Sequence, residues 1–129
     1  MGWQVMDAFE SYESAREQFR WELPDSFNPG VDFCRKHDAE RVALRYDTGE
    51  TVEEYTFGEI DRRSDRLASA FEDLGISPGE RVGVLVSQKP ANPITHLANW
   101  KLGAVSVPLT VLFGPDALQY RLADSDAVA

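Results

Sequence analysis

Cys34 and His37 are the residues of this sequence whose types and spacing come nearest to metal-binding chemistry. A thiolate and an imidazole three residues apart could hold a soft metal ion, but structural zinc sites use four ligands and no second pair lies nearby. On a helix, the same spacing is typical of a cysteine that packs in the core and a histidine that lies at the surface. We therefore expect no metal ion at these residues.

The other candidates are a lone histidine and two acidic residues near the end of the sequence. His96 has no serine or cysteine partner at a spacing that indicates a catalytic triad, so we interpret it as a residue at the edge of the core. Asp124 and Asp126 could bind a cation, but the remaining ligands of a calcium loop do not surround them. We interpret them as turn-forming residues that end a helix.

A phosphate-binding loop has no signature in these residues. Neither G-x-x-x-x-G-K-[ST] nor G-x-G-x-x-G occurs in the sequence. The densest charged segment, residues 61–66, mixes acidic and basic side chains and is typical of a solvated helix face. The residue types alone therefore indicate no catalytic centre.

Composition excludes several classes of protein. The chain has 129 residues and a net charge of −9, and no basic stripe could neutralise nucleic-acid phosphates. An acidic load with few lysines is typical of a protein that stays soluble at high salt, and also of an ordinary acidic cytosolic protein. No apolar run approaches the roughly 18 residues of a spanning helix. The single cysteine, Cys34, fits a reducing compartment, so we expect a cytoplasmic protein.

Any site must be positioned by a helical lead-in (residues 1–40), a hairpin (41–56) and βαβ units (57–129). We predict an N-terminal helix within residues 1–22, with Asp7 and Glu10 as a capping pair. A short helix is expected over residues 31–37. Two β-prone runs flank a turn that contains Gly49, which predicts a hairpin.

The next helix has clear boundaries. Thr56 and Glu59 form a capping box at its start, and Gly75 supplies the left-handed residue at its end. Ile60, Ser64, Leu67, Phe71 and Leu74 share its predicted buried face.

Strands and helices then alternate, which predicts a parallel sheet in an α/β fold. We expect strands over residues 82–86 and 104–109. The helix between them should begin at Pro93 after an Asn92 cap and end at Gly103. A further helix starts at Pro115, and residues 127–129 begin a third strand. Because the sequence stops there, we expect an incomplete, N-terminal portion of a larger domain.

Four segments carry a resemblance to a known family. They are W-E-L-P-D-S-F-N (residues 21–28), Y-T-F-G-E-I (55–60), P-G-E-R-V-G-V (78–84) and K-L-G-A-V-S-V-P-L (101–109). In this order and spacing, they resemble the N-terminal part of the large α/β domain of AMP-forming acyl-CoA synthetases, within the adenylate-forming superfamily. The lead-in is similar to that of short- and medium-chain members.

The resemblance implies a two-step ligase that uses ATP, Mg²⁺ and CoA to activate a small carboxylic acid. It also implies that the family's catalytic groups lie outside these residues, so we expect no catalytic residue within residues 1–129. One position could touch a ligand: Lys101 occupies the place of a basic residue near a CoA phosphate in acetyl-CoA synthetase-like members. The alternative is a solvated lysine at a helix C-terminus, which the helix dipole favours.

Three functional hypotheses follow. In the first, the chain is an inactive N-terminal fragment of a synthetase for short- or medium-chain acids. In the second, it is a free-standing, non-catalytic binding module whose open strand edge could pair with a partner. The third keeps the superfamily and changes the substrate, to an aryl acid or an amino acid in an adenylation domain.

Overall fold

A computed structural model describes residues 8–22 and 24–129. In those residues, five helices and four strands follow one another in the order α1, α2, β1, β2, α3, β3, α4, β4, α5. The strands form two separate pairs: an antiparallel hairpin of β1 and β2, and a parallel pair of β3 and β4. The helical lead-in, hairpin and βαβ order match the predicted α/β architecture.

The first lead-in helix is shorter than predicted, and the second is shifted toward the N-terminus. Helix α1 spans Tyr12–Gln18, because the Ser11 hydroxyl accepts a hydrogen bond from the Ser14 amide (3.1 Å) and fixes the start there. Glu10 therefore precedes the helix, and Asp7 lies outside the described residues. Helix α2 spans Pro29–Arg35 and begins two residues before the predicted start, because Asn28 caps the amides of Gly30 and Val31.

The hairpin and α3 follow the sequence closely. Strands β1 (Val42–Asp47) and β2 (Val52–Thr56) pair antiparallel, and α3 (Phe57–Asp73) starts directly after β2. The capping box is confirmed: the Glu59 amide donates to Thr56 Oγ1 (3.2 Å), and the Thr56 amide donates to Glu59 Oε2 (2.9 Å).

Helix α3 ends in a Schellman motif. Gly75 has φ +90°, its amide donates to Glu72 O (2.9 Å), and the Ile76 amide donates to Phe71 O (3.0 Å). The prediction that Leu74 is buried was wrong, because Leu74 is the C-cap just beyond the helix and its side chain is 79% exposed.

The parallel pair is the start of the predicted sheet. Strands β3 (Arg81–Leu85) and β4 (Val105–Leu109) flank α4 (Ala91–Leu102), and α5 (Pro115–Asp124) follows. Residues 127–129 run along the other edge of β3. There, the Val128 amide donates to Arg81 O (2.9 Å), and the Gly83 amide donates to Ala129 O (2.7 Å).

Helix α4 begins earlier than predicted. Its first residue is Ala91, and Asn92 does not cap it, because the Asn92 side-chain amide instead donates to Val86 O (3.0 Å) in the preceding loop. Its end at Gly103 is confirmed by the left-handed φ of +83°.

The core lies where α3 and α4 face each other and the sheets. One buried cluster contains Cys34, Ile60, Ile94 and Leu97, and a second contains Ile76, Val82 and Ala104. The first cluster includes Ile94 and Leu97 of α4, and Leu102 of α4 packs against the second, so the placement of α4 determines how the two halves of the chain pack.

Leu97→Ala should lower the free energy of unfolding by about 2–5 kcal/mol, because Leu97 is 3% exposed and its removal leaves a cavity. Leu74→Ala is the matched control and should change it by less than about 0.5 kcal/mol. Urea unfolding of the purified protein measures both. Equal effects of the two substitutions would contradict this description of the core.

Candidate functional site

Lys101, the residue predicted to lie near a CoA phosphate, is buried in a cluster of charged groups. Its side chain is 5% exposed. The ammonium donates to the Asp61 carboxylate, to Asp65 Oδ1 (2.7 Å) and to the Asp61 carbonyl oxygen (3.0 Å). These three acceptors match the three protons of the ammonium group.

Arg35 completes this cluster from α2. Its Nε lies 3.1 Å from Asp61 Oδ2, and its Nη2 lies 3.2 Å from Asp65 Oδ2. Burial opposes ionisation of Asp61, but the hydrogen bonds from Lys101 and Arg35 outweigh it and hold the pKa of Asp61 below its ordinary value. Asp61 therefore stays charged at neutral pH, opposite Lys101 and Arg35.

The same junction contains a backbone contact between α2 and the end of α4. The Asn28 side-chain amide donates to Lys101 O (3.0 Å). A Cβ at Gly30 would come within 2.7 Å of Leu97 O and 2.8 Å of Lys101 Cγ, so the glycine allows the two helices to approach closely. The cluster of Arg35, Asp61, Asp65 and Lys101 thus joins α2, α3 and α4.

This geometry corrects two interpretations. Residues 61–66 are not simply a solvated face, because Asp61 and Asp65 point at α2 and α4 while Arg62, Arg63 and Arg66 remain exposed. Lys101 is not a solvated lysine, since the helix packs its side chain under α3. Contact of Lys101 with a CoA phosphate stays a prediction, and such a phosphate would compete with two carboxylates for the same protons.

A cleft lies at the carboxyl ends of β3 and β4, which is where ligand sites form in open α/β sheets. Its volume is about 630 Å³, and its walls are residues 86–88, residues 108–113 and the first turns of α4 at Asn92 and His96. We call it the carboxyl-edge cleft. Pro108, near the end of β4, and Thr110, just after it, both line this cleft.

An apolar groove of about 570 Å³ adjoins the cleft and shares Asn92, His96 and Pro108 with it. Its other walls come from α2, β1 and α4, through residues such as Phe33, Leu44 and Trp100. Four of the groove's lining side chains can form hydrogen bonds, and the rest are apolar, so it suits an apolar group with few polar atoms. The four are Asn92, His96, Trp100 and Ser106.

His96 separates the cleft from the groove. Its ring lies 6.0 Å from the Trp100 ring, and burial lowers its pKa. The neutral imidazole is therefore favoured in the folded protein. Among the described residues, the walls of both spaces add no carboxylate, so we assign His96 no acid–base role.

The remaining sequence candidates lie apart from the cleft. Cys34 is 3% exposed in the core, where burial raises the pKa of its thiol, and the His37 ring packs 4.3 Å from the Phe57 ring. Asp126, just after α5, has its Oδ2 3.6 Å from Arg81 Nη2. In residues 8–22 and 24–129, no three histidine, cysteine or acidic side chains converge as metal ligands do.

None of the helices in the described part of the chain has the length and apolar character needed to cross a membrane.

A family model described as "AMP-binding enzyme" matches residues 32–129. The chain belongs to this family. The crystal structure of an acyl-CoA synthetase from Brucella canis superposes with a TM-score of 0.81 at 33% identity, over 92% of this chain and 24% of that one. The adenylate-forming fold expected from the sequence is thus confirmed.

Curated relatives in the AMP-binding family differ in the substrates that their names give. An acetyl-coenzyme A synthetase of Vibrio parahaemolyticus is 27% identical over 91% of this chain and 19% of its own length. A feruloyl-CoA synthase of an Amycolatopsis species is 42% identical, over 56% of this chain and 15% of its own length. The chain therefore spans less than a fifth of these two relatives.

Lys101→Met should lower the free energy of unfolding by about 1–3 kcal/mol, because it removes the buried ammonium that pairs with Asp61 and Asp65 and leaves them the ion pairs with Arg35. This range is reduced for the partial exposure of both carboxylates. Lys89→Met removes an exposed lysine and should change the free energy by less than about 0.5 kcal/mol. Urea unfolding at neutral pH compares the two variants, and equal stability would contradict a structural role for Lys101.

His96 should make the protein less stable as the pH falls through 6.5, the ordinary pKa of histidine. The reason is that the folded state favours the neutral imidazole and the unfolded state does not. Asp61 has the lowered pKa of a paired carboxylate, so its contribution is lost only as the pH falls below about 3.8. Urea unfolding between pH 7.5 and about 5 should therefore give a steeper pH slope for the wild type than for His96→Gln. Identical slopes would show that burial of His96 has no such effect.

Proposed function

We propose that this chain is the N-terminal portion of an AMP-forming acid–thiol ligase that joins a short- or medium-chain carboxylic acid to CoA. The observation that carries the proposal is the extent of the likeness to acyl-CoA synthetases. The Brucella canis structure matches 92% of the chain and the Vibrio acetyl-coenzyme A synthetase matches 91%, so both likenesses reach into the helical lead-in.

The proposed reaction has two steps. A carboxylate oxygen attacks the α-phosphorus of ATP and forms an acyl-adenylate. The bond from that phosphorus to the oxygen that bridges the α- and β-phosphates breaks, and pyrophosphate leaves. The sulfur of CoA then attacks the acyl carbon, loses its proton and displaces AMP. Both steps build negative charge on oxygen atoms, which such enzymes stabilise with positioned hydrogen-bond donors and cations.

The described residues do not fit the groups that this chemistry needs. They contain no cluster of three metal-ligating side chains for Mg²⁺, and the full sequence has no glycine-rich phosphate loop. We therefore propose that residues 1–129 alone form no adenylate. Their part in the reaction is structural: β3, β4 and α4 form walls of the carboxyl-edge cleft, and the cluster around Lys101 fixes α4 in place.

A second candidate substrate is an aryl acid. It is favoured by the feruloyl-CoA synthase likeness, which has the higher identity but covers only 56% of the chain. A 4-coumarate--CoA ligase of Oryza sativa is 33% identical over 84% of this chain, so the extent of the match does not separate aryl from acyl acids. Our preference for a short- or medium-chain acid rests on the similarity of residues 21–28 to the lead-in of short- and medium-chain members. A cytoplasmic location and the absence of nucleic-acid partners remain predictions from composition.

The proposal is tested with the polypeptide encoded by the complete gene. We expect it to release AMP and pyrophosphate when given ATP, Mg²⁺, CoA and one of acetate, butyrate or octanoate. Ferulate and a set of amino acids test the aryl and amino-acid alternatives in the same assay. Residues 1–129 expressed alone serve as the matched control and should be inactive.

Turnover by residues 1–129 would contradict the structural role proposed for them. Lack of any acid-dependent AMP release by the complete polypeptide would contradict the ligase, and would favour a non-catalytic binding module.

A further inference from the structure

One wall of the carboxyl-edge cleft is a short turn, residues 110–113, which we call the cleft turn. The Phe113 amide donates to Thr110 O (3.1 Å), and the Leu112 amide donates to Thr110 Oγ1 (3.3 Å). Val111 and Leu112 are large apolar side chains, yet they are 58% and 88% exposed. These two hydrogen bonds and the Phe113 side chain therefore have to hold the turn in place.

Arg121 of α5 contacts the cleft turn through the ring of Phe113. Its guanidinium carbon lies 3.9 Å from the centre of the Phe113 ring, within the range of a cation–π contact. The same guanidinium donates to Ala117 O (3.0 Å), one helical turn earlier, which restricts its position on α5. The aromatic ring is thus packed against a side chain that is itself tied to the helix.

Helix α5 is in turn fixed on the sheet. Leu122, the neighbour of Arg121, occupies the space beside Gly83 of β3, where a Cβ would come within 2.7 Å of Leu122 Cδ2. The Leu118 amide donates to Gly114 O (3.1 Å) at the other end of the helix, next to the cleft turn. A continuous set of contacts therefore runs from β3 through α5 and Arg121 to Phe113.

We propose that Arg121 is a positioning residue that acts through Phe113 to hold the cleft turn, and thereby sets the wall that a substrate meets in the carboxyl-edge cleft. The proposal rests on the proposed ligase function for the identity of that substrate, which is ATP, the carboxylic acid or CoA. The contact between Arg121 and the turn rests on the geometry alone. Because Arg121 is exposed, the contact is a weak one, and removing it should change the measured quantities about two- to fivefold.

The first measurement is amide hydrogen exchange of residues 110–113 in the complete polypeptide. Arg121→Met keeps the length of the side chain and removes its charge, so exchange in the turn should become about two- to fivefold faster. Phe113→Leu should have a similar effect, and the double variant should exchange no faster than the single ones, because both substitutions remove the same contact. Arg121→Lys keeps the cation and should restore most of the protection.

Arg45→Met is the matched control, because Arg45 is an exposed arginine that pairs with Glu54 in the hairpin (2.7 Å), away from the cleft. It should leave exchange in the turn unchanged. Additive effects of Arg121→Met and Phe113→Leu, or an equal effect of Arg45→Met, would overturn the proposed contact.

The second measurement separates positioning from simple stabilisation. In the complete polypeptide, Arg121→Met should raise the KM for one of ATP, acid or CoA about two- to fivefold while kcat stays within twofold, and Arg121→Lys should restore that KM. Faster exchange without any change in KM would overturn the positioning role. If the wild type shows no acid-dependent AMP release, the ligase function fails and the positioning role fails with it, while exchange still decides whether Arg121 holds the turn.

Discussion

The structure depends most on a lysine ammonium that the fold withdraws from water. Lys101 is 5% exposed, and a charge so placed is tolerated only where fixed acceptors replace its hydration. Asp61 and Asp65 supply those acceptors from α3, so α4 can pack in the orientation that brings Lys101 to them. Arg35 then balances the second negative charge from α2, which fixes the lead-in helix on the same junction.

Other features follow from that junction. Asn28 caps α2 with its side-chain oxygen and donates to Lys101 O with its amide, so the start of one helix is tied to the end of another. Gly103 ends α4 two residues after Lys101, and β4 begins at Val105. The position of β4, and with it the carboxyl-edge cleft, is thus set a few residues from the buried charge.

Much of the fold could be predicted from local signals. The capping box at Thr56 and Glu59, the left-handed Gly75 and Gly103, and the turn at Gly49 each act within a few residues, so the sequence contains their whole cause. The family could also be recognised, because four short segments occur in a fixed order. Asn92 shows the limit of such signals: it suits a helix cap, but its side chain binds the loop before the helix instead.

The candidate site was harder to predict, because its residues meet only after folding. Asp61 and Asp65 are four residues apart and share a helix face, which the sequence shows. Nothing local indicates that Lys101, 36 to 40 residues later in the sequence, contacts that face. The cation–π contact of Arg121 with Phe113 depends likewise on how α5 packs on β3. The burial of Leu74 was predicted wrongly for a different reason. Helical periodicity indicates which residues share a face, but not where along that face the neighbouring core ends.

The described residues therefore form scaffold and cleft walls of an adenylate-forming fold, and we propose that the groups that perform the chemistry lie elsewhere in the polypeptide. The most direct measurement is the intact mass of the native gene product in its own cells, detected with an antibody raised against these residues. We expect a species several times heavier than the 14.5 kDa of this chain. A native species of 14.5 kDa would contradict it, because such a product would have the scaffold without the residues that catalyse.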